Sequence, residues 1–354
     1  MTLGMGFFLK STDAVGLEFD TGVIRFVKLK GSAPPFTLVG AGQIEIPDNA
    51  VAEGIVEDVP AVAGALEELW NKSQVGSREV TLGIFNQGVL FRRAVFPKLE
   101  QKKLAQVVRY QSDDYFPVPV SELVLDFAVV GELEGENGPA LDVLLVAVQR
   151  EILEKSLHVL TAAGLRPLVI DASPLALART VPRTRLAGTV LVIDIANGLT
   201  TLFLVSGGVP MLARSLPHSL QFFARELDLP LGSVLENIQQ AAAAAEEEAR
   251  SYPAGMPGVF SEWVFVLANE IRSLINYYLV QNTSAVIDHI ALSGRGARMD
   301  GLAEFLQEEL DLPVETIKPL ENIKIAAFRN KNLGPDGLDF SVSIGLALRG
   351  LQAS

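Results

Sequence analysis

Residues 15–29, VGLEFDTGVIRFVKL, and residues 191–205, LVIDIANGLTTLFLV, share one plan, and that plan decides the fold. In each segment an apolar strand reaches an acidic residue, turns through small or polar positions and continues as a second apolar strand. The pattern predicts one β-hairpin in each half of the chain. Two hairpins that face each other across a cleft would offer backbone N–H groups to a polyphosphate and carboxylates to hydrated Mg²⁺. The alternative is a pair of ordinary hairpins with acidic residues near their turns.

Length, charge and cysteine content restrict the class of protein. The 354 residues exceed what one hydrophobic core usually supports, so two lobes are expected. The formal net charge of -13 predicts a surface that repels phosphodiester backbones, so no nucleic-acid partner is expected. The chain has no cysteine, which excludes disulfides, thiolate metal sites and cysteine nucleophiles. No apolar run approaches the roughly 18 residues needed to span a bilayer, and we expect a cytoplasmic location.

Strand and helix patterns alternate along the chain, which is typical of an α/β fold, and the order repeats once in each half. The basic, proline-containing residues 181–188 are interpreted as the bridge between the lobes. Outside the two hairpins, strands are predicted at residues 36–46, 78–85, 123–130, 141–148, 168–170, 287–292 and 314–317. Helices are predicted at residues 60–72, 101–113, 150–163, 175–180, 220–227, 233–250, 260–280, 302–310 and 342–348, with a loop at 251–258.

Six segments, taken in sequence order, carry a resemblance to a known family: residues 15–29, 109–127 (RYQSDDYFPVPVSELVLDF), 191–201, 269–278 (NEIRSLINYY), 287–302 (IDHIALSGRGARMDGL) and 340–350 (FSVSIGLALRG). Together they resemble the PilM family, the actin-like proteins of the type IV pilus assembly platform. Apolar strands that end in Asp-x-Gly are common, so the specificity comes from the order of six matches over the whole chain. The resemblance implies an actin-like (ASKHA) two-lobe α/β fold around a nucleotide cleft, with an extra subdomain in the first lobe like that of the cell-division protein FtsA.

The same resemblance implies the domain boundaries. The first lobe would span residues 1–180 and contain the small subdomain at about 87–164. The second lobe would span residues 188–338, and residues 339–354 would form a C-terminal helix that returns to the first lobe.

The resemblance also assigns the residues of an ATP–Mg²⁺ cleft. Glu18 and Asp194 would hold Mg²⁺ through water, Glu270 would reach a ribose hydroxyl, and the remaining residues would form two phosphate loops and an adenosine loop. The full set is Glu18, Asp20, Thr21, Gly22, Arg25, Asp194, Asn197, Gly198, Thr200, Glu270, Gly294, Arg295 and Gly296. Ordinary structural roles remain as alternatives: exposed hairpin carboxylates, β-propensity for the threonine, a solvated strand face for Arg25 and a surface pair with Arg272 for Glu270.

Three positions in these loops depart from the glycines of family members that hold ATP: Asp20, Ala196 and Arg295. A glycine at the first position lets the backbone approach the phosphates closely. A carboxylate there would repel phosphate by roughly 4 kcal/mol, the energy of two like charges about 4 Å apart at an effective dielectric of about 20. Arg295 would either cover the nucleotide or fill its place. These departures predict a weakened or lost ATP site, and a retained site with a rewritten adenosine loop stays open as the alternative.

The function that the resemblance implies is that of a scaffold in the inner-membrane platform of a type IV pilus, or of a related type II secretion system. The partner would be the short cytoplasmic N-terminal tail of a PilN-like membrane protein, which would hold the chain at the membrane without direct insertion into lipid. Aromatic residues in 109–127 would suit an apolar groove for that tail, or would pack within the subdomain. No catalytic residue is assigned and no enzyme activity is expected; the alternative is an ATP-dependent small-molecule kinase or ATPase of the actin and sugar-kinase superfamily.

Overall fold

The computed structural model describes residues 12–135, 138–246, 258–327, 333–334 and 336–353. Its strands are β1 (Asp13–Asp20), β2 (Val23–Lys30), β3 (Phe36–Glu45), β4 (Val51–Ala52), β5 (Ile55–Val56), β6 (Glu79–Ile84), β7 (Val89–Pro97), β8 (Leu123–Gly135), β9 (Gly138–Gln149), β10 (Arg166–Ala172), β11 (Thr189–Ile195), β12 (Thr200–Ser206), β13 (Val209–Leu216), β14 (His289–Ser293), β15 (Val314–Thr316) and β16 (Ile323–Ile325). Its helices are α1 (Val59–Ser73), α2 (Gln101–Gln111), α3 (Arg150–Ala162), α4 (Ser173–Thr180), α5 (Leu220–Glu226), α6 (Val234–Glu246), α7 (Gly258–Gln281), α8 (Leu302–Leu310) and α9 (Ser341–Ala353).

The first lobe is built on a six-stranded sheet in the order β10-β6-β1-β2-β3-β16. Successive side chains of a strand point to opposite faces, so alternate residues of β2 enter different cores. Phe26 packs against Trp70 of α1 with ring centroids 5.3 Å apart, whereas Val27 packs in a cluster with Ile344 of α9. Helix α9 lies so close to β1 that a Cβ on Gly16 would sit 2.1 Å from the carbonyl oxygen of Ser343. The sheet therefore packs between α1 on one face and α9 on the other. These helices fix the β1–β2 turn at the end of the sheet.

The second lobe is built on a five-stranded sheet in the order β13-β12-β11-β14-β15. Strand β11 pairs antiparallel with β12 and parallel with β14, and all its residues are buried. Burial on both faces explains the unbroken apolar run of this strand. Trp263 of α7 is fully buried and stacks on His218 with ring centroids 5.0 Å apart. His218 is in turn linked to the start of β12, because its carbonyl oxygen accepts a hydrogen bond from the Thr200 hydroxyl.

Both predicted hairpins are present, whereas β4, β5, β7, β13 and β16 were not predicted. Strand β13 carries Pro210 and Arg214 and is mostly half-buried, so its sequence lacks a clear alternation of apolar and polar residues. Strand β16 has three residues and is recognisable only from its parallel pairing with β3. The chain therefore returns to the first lobe at β16, earlier than the expected boundary at residue 339. Residues 1–11, 247–250 and 251–257, for which a first-lobe start, a helix end and a loop were predicted, lie outside the described residues.

The extra subdomain consists of the sheet β7-β9-β8 with α2 on one face, and it has a hydrophobic cluster of its own. Phe96, Leu104 and Val143 are among its buried residues. Helix α3 was expected to belong to this subdomain, but its fully buried Val159 and Leu160 join the main core, where α3 contacts α1 and β10. The part with a separate core thus runs over residues 89–149, shorter than the predicted 87–164.

Candidate functional site

The turns of the two hairpins meet at the cleft, and the Asp20 carboxylate lies between them. Its Oδ1 accepts the N–H groups of Thr21, at 2.8 Å, and of Gly198, at 3.1 Å. Its Oδ2 accepts the N–H of Asn197 at 3.2 Å. The backbone N–H groups that the sequence predicted for a polyphosphate do lie close together. Their common acceptor is the side chain of Asp20.

Arg25 supplies the positive charge beside this carboxylate. Its Nη1 donates to Asp20 Oδ2 at 3.0 Å, and the two side chains are only 6% and 9% exposed. Strand register explains the position, because Arg25 pairs with Glu18 across the β1–β2 ladder, on the same side of the cleft. Burial alone would lower the pKa of Arg25, but the carboxylates of Asp20 and Glu18 outweigh it and raise that pKa. The pair is a buried ion pair with further hydrogen bonds to its anion.

Glu18 and Asp194, the expected Mg²⁺ carboxylates, both lie in the cleft. Burial raises the pKa of Glu18 to about 8, opposed by Arg25, and raises the pKa of Asp194 to about 6. Glu18 Oε2 accepts a hydrogen bond from Ser343 Oγ at 3.2 Å, and a hydrogen bond from the Ser293 hydroxyl opposes the effect of burial on the pKa of Asp194. Burial thus favours the protonated form of both carboxyl groups in this closed cleft.

Arg295 closes the opposite side of the cleft. It follows Gly294, whose φ of 78° turns the chain back over the β11–β12 turn. Its guanidinium donates to the carbonyl of Leu231 at 3.0 Å, to the carbonyl of Gly232, and to Asn197 Oδ1 at 3.4 Å. Arg295 therefore connects the loop after β14 to residues 231–232 and to the β11–β12 turn.

Little space remains inside the cleft. The cavity bounded by Glu18, Asp20, Asp194 and Arg295 has a volume of about 10 Å³. A single water needs about 10–15 Å³, whereas sites for small organic ligands usually hold about 300–1,000 Å³. The hairpins touch directly, since a Cβ on Gly198 would lie 2.1 Å from Thr21 Oγ1. A wider opening of about 360 Å³ lies outside this contact, on the far side of Arg25 and Arg295.

Glu270 does not line these cavities. It pairs with Arg214 of β13 at 3.0 Å, on the sheet side of α7. The alternative pair with Arg272 is also not formed, because Arg272 binds Glu309 of α8 at 2.7 Å. Both charges of this helix therefore connect it to its neighbours in the second lobe.

Three further predicted residues have packing or turn-forming roles. Thr200 is fully buried, and its hydroxyl donates to the carbonyl oxygen of His218. Gly296 lies against Ile195, where a Cβ would come within 2.3 Å of the Ile195 side chain. Gly22 has a φ of 75° and makes the β1–β2 turn. These positions shape the loops without pointing a polar atom at the cleft.

Residues near the C-terminus complete the cleft, and the sequence did not identify them. Asp339 lines the inner cavity, and Ser343 contacts Glu18. Arg298 donates to the carboxylates of Asp336, through Nε at 2.9 Å, and Asp339. Burial alone would raise the pKa of Asp336, but hydrogen bonds from Arg298 and Leu338 lower it. The resemblance covered Arg298 in residues 287–302 and Ser343 in residues 340–350, but it gave neither residue a role in the cleft.

The residues present do not fit Mg²⁺–ATP. Thr21 Oγ1 and Arg25 Nε are buried without a hydrogen-bond partner among the described residues. The N–H groups of Asn197 and Gly198 already bind Asp20, and the cavity enclosed by the cleft carboxylates holds only about 10 Å³. The described residues contain no cluster of three or more His, Asp or Glu side chains that could hold a metal ion.

Two lobes that each present a hairpin turn to a shared cleft define an actin-like protein. Solved structures with this fold include the ethanolamine utilization protein EutJ from Carboxydothermus hydrogenoformans, with a TM-score of 0.51 and 16% identity over 95% of this chain and 89% of that one. MreB5 of Spiroplasma citri bound to ADP has a TM-score of 0.51 and 11% identity over 96% of each chain. These likenesses confirm the predicted fold class.

The sequence profile of the type IV pilus assembly protein PilM matches residues 16–351, and the chain belongs to this family. The structure of a PilM–PilN type IV pilus biogenesis complex matches with a TM-score of 0.79 and 27% identity, over 96% of this chain and 98% of that one. The expected family is therefore confirmed. Among the described residues, no helix is both long and apolar enough to cross a membrane.

Proposed function

We propose that this protein is a scaffold of the type IV pilus inner-membrane platform that binds the cytoplasmic N-terminal tail of a PilN-like membrane protein. The supporting observation is the match to a PilM–PilN complex over nearly the full length of both chains. A cleft closed by its own side chains agrees with a scaffold that does not turn over ATP. The tail would hold the protein at the inner membrane, so no segment of the scaffold itself needs to insert into lipid.

The tail-binding groove is proposed to lie beside the extra subdomain, which has its own core and can act as a rigid wall. Most aromatic residues of segment 109–127 pack within it: Phe116 is buried, and Tyr115 contacts Phe96 with ring centroids 5.9 Å apart. Tyr110 on α2 is the exception and is 88% exposed. A large exposed aromatic side chain is a frequent anchor in protein interfaces. We therefore assign Tyr110 as a contact for the tail.

Calorimetric titration of the cognate tail peptide onto the purified protein tests this function. We expect saturable binding, and we expect Tyr110→Ala to weaken it by about 10-fold, since interface aromatics often contribute more than about 1 kcal/mol. The matched control is Tyr277→Ala, because Tyr277 is also exposed (58%) but lies on α7 of the second lobe. No binding at peptide concentrations near ~1 mM, a free energy of only about -4 kcal/mol, would contradict the proposal.

The alternative function is a small-molecule kinase or ATPase of the same superfamily. It would require steady phosphate release from Mg²⁺–ATP that increases with an added acceptor. We expect release below roughly one phosphate per minute, far under the usual enzyme range of about 1–1,000 per second. A malachite-green assay on the same preparation used for calorimetry separates the two functions.

A further inference from the structure

We propose that the Asp20 carboxylate is the resident anion of the phosphate site and holds the two lobes closed in place of a nucleotide. The proposal concerns the cleft alone and does not depend on the tail partner. The ligands that this site can take are anions. Any phosphate group that enters the site must first displace the Asp20 side chain.

The carboxylate makes the contacts that a bound anion would make. Each of its oxygens accepts two hydrogen bonds, Oδ1 from Thr21 and Gly198, and Oδ2 from Asn197 and Arg25. Three of the donors are backbone N–H groups at turns, the kind of group that forms anion-binding concavities. The fourth is a guanidinium, which binds carboxylates and phosphates alike. A carboxylate with four donors is fully satisfied, and these donors are no longer free for phosphate.

These hydrogen bonds cross from one lobe to the other. Asp20 ends β1 of the first lobe, while Asn197 and Gly198 lie in the β11–β12 turn of the second lobe. A further bond runs from Asn197 Nδ2 to the carbonyl oxygen of Thr21 at 2.9 Å. Because the connected residues are 176 to 178 positions apart in sequence, no local turn could produce these contacts. The carboxylate therefore joins the lobes at the point where the phosphates of a nucleotide would otherwise do so.

In a competition for these donors, the Asp20 carboxylate is favoured over a free phosphate. Asp20 is part of the chain, so its carboxylate acts as an intramolecular ligand with a high effective concentration. An entering phosphate would bring more negative charge next to Asp194 and Asp339, which face the same cavity. It would also need the lobes to separate, since the turns are in contact. The wild-type protein is thus expected to remain closed without nucleotide and to gain little from it.

Removal of the carboxylate should open the site to free anions. In Asp20→Gly the donors of both turns and Arg25 lose their partner, which should lower the melting temperature. We expect inorganic pyrophosphate at about 1 mM to raise the melting temperature of this variant by several degrees, because ligand that binds only the folded state stabilises it. The same addition should leave the wild type unchanged.

Asp171 provides a matched control. It is also buried beside an arginine, accepts the N–H of the following residue at 3.1 Å and binds Arg179 at 2.6 Å. All these contacts lie within the first lobe, at the junction of β10 and α4. Asp171→Gly should therefore lose stability without any rescue by pyrophosphate.

A second measurement covers the case in which Asp20→Gly does not fold. The chain has no native cysteine, so spin labels can be placed at Asn49→Cys in the first lobe and Glu236→Cys in the second, both exposed. The isosteric Asp20→Asn keeps the volume but turns an amide N–H₂ toward existing donors. We expect one narrow distance distribution in the ligand-free wild type, unchanged by Mg²⁺–ATP, and a broader one in Asp20→Asn. A broad wild-type distribution that narrows with Mg²⁺–ATP, or pyrophosphate stabilisation of the wild type equal to that of Asp20→Gly, would overturn the proposal.

Discussion

The two hairpins have the same topology but contribute different groups to the cleft. In the first, Asp20 pairs with Val23, so the turn has two residues and the carboxylate stands at the end of the strand. In the second, Ile195 pairs with Thr200, so four residues form the turn. The first hairpin supplies the anion and two of its donors, from Thr21 and Arg25, and the second supplies the other two, the N–H groups of Asn197 and Gly198.

The two turns are anchored by different elements. Backbone N–H groups of Leu220 and Gln221, at the start of α5, donate to the carbonyls of Ala196 and Asn197 at 3.2 Å and 2.8 Å, whereas the carbonyl of Gly22 in the first turn accepts the N–H of Ile46 at 3.0 Å. A helix thus holds the longer turn, whose Asn197 and Gly198 N–H groups reach Asp20 of the other lobe. What each hairpin contributes to the contact therefore depends on turn length and on what anchors it, and less on the strand pattern that the two share.

The largest difference between the turns should appear when each loses its glycine. In Gly198→Ala the new Cβ meets Thr21 Oγ1 at 2.1 Å, between two packed lobes that would have to separate. We expect a loss of about 3 kcal/mol, the upper part of the range for overpacking, measured as a fall in melting temperature. In Gly22→Ala the contact is the exposed side chain of Asp48 at 2.8 Å, which can move.

For Gly22→Ala the remaining cost is the positive φ of 75°, about 1 kcal/mol. Equal losses for the two variants would mean that the hairpins are not in firm contact. The double variant Gly198→Ala with Thr21→Gly removes the clashing side chain and should recover part of the loss.

A smaller difference is expected from the two cleft acids. Their pKa values are raised in the folded protein, from 4.5 to about 8 for Glu18 and from 3.8 to about 6 for Asp194. The folded state thus binds more protons than the unfolded state within these windows, and stability falls as pH rises through them. Glu18→Gln should match the wild type near about pH 4 and be more stable by on the order of 2 kcal/mol near about pH 9.

Asp194→Asn should show a smaller gain, because the pKa of Asp194 is raised less than that of Glu18, and the gain should be complete at lower pH, by about pH 7. Melting temperatures of both variants, measured between about pH 4 and about pH 9, test which gain is complete at the lower pH. If the wild-type stability rises between these two pH values and Glu18→Gln shows no difference from it, Glu18 is ionised in the folded cleft.

The smallest effect is expected for Arg295→Gly. It removes donors to two carbonyls of residues 231–232 and widens the cleft, at a cost of about 1 kcal/mol. The N–H groups would still be held by Asp20, so Mg²⁺–ATP should not raise the melting temperature of this variant. A thermal shift of several degrees in wild type that Arg295→Gly abolishes would instead identify Arg295 as a nucleotide contact.

Local sequence was sufficient where one strand or one helix decides the structure. The apolar runs of β1, β2, β11 and β12, each interrupted by a short polar turn, determined both hairpins. Order and spacing of the six matched segments determined the family and, through it, the two-lobe fold. Where the local pattern was weak, as in β13 with its proline and arginine, the strand depended on pairing with β12 and was missed.

The tertiary structure decided how the cleft is used. The resemblance implied that Asp20 stands where family members that hold ATP have a glycine, and simple electrostatics predicted repulsion of phosphate, but the contacts of the side chain depend on N–H groups 177 and 178 residues away. Glu270 likewise has its partner on β13, a strand that the pattern did not predict. Hydrogen bonds between the lobes require both sheets in place, so the local sequence determines the hairpins, and the contact between them determines which atoms surround the Asp20 carboxylate.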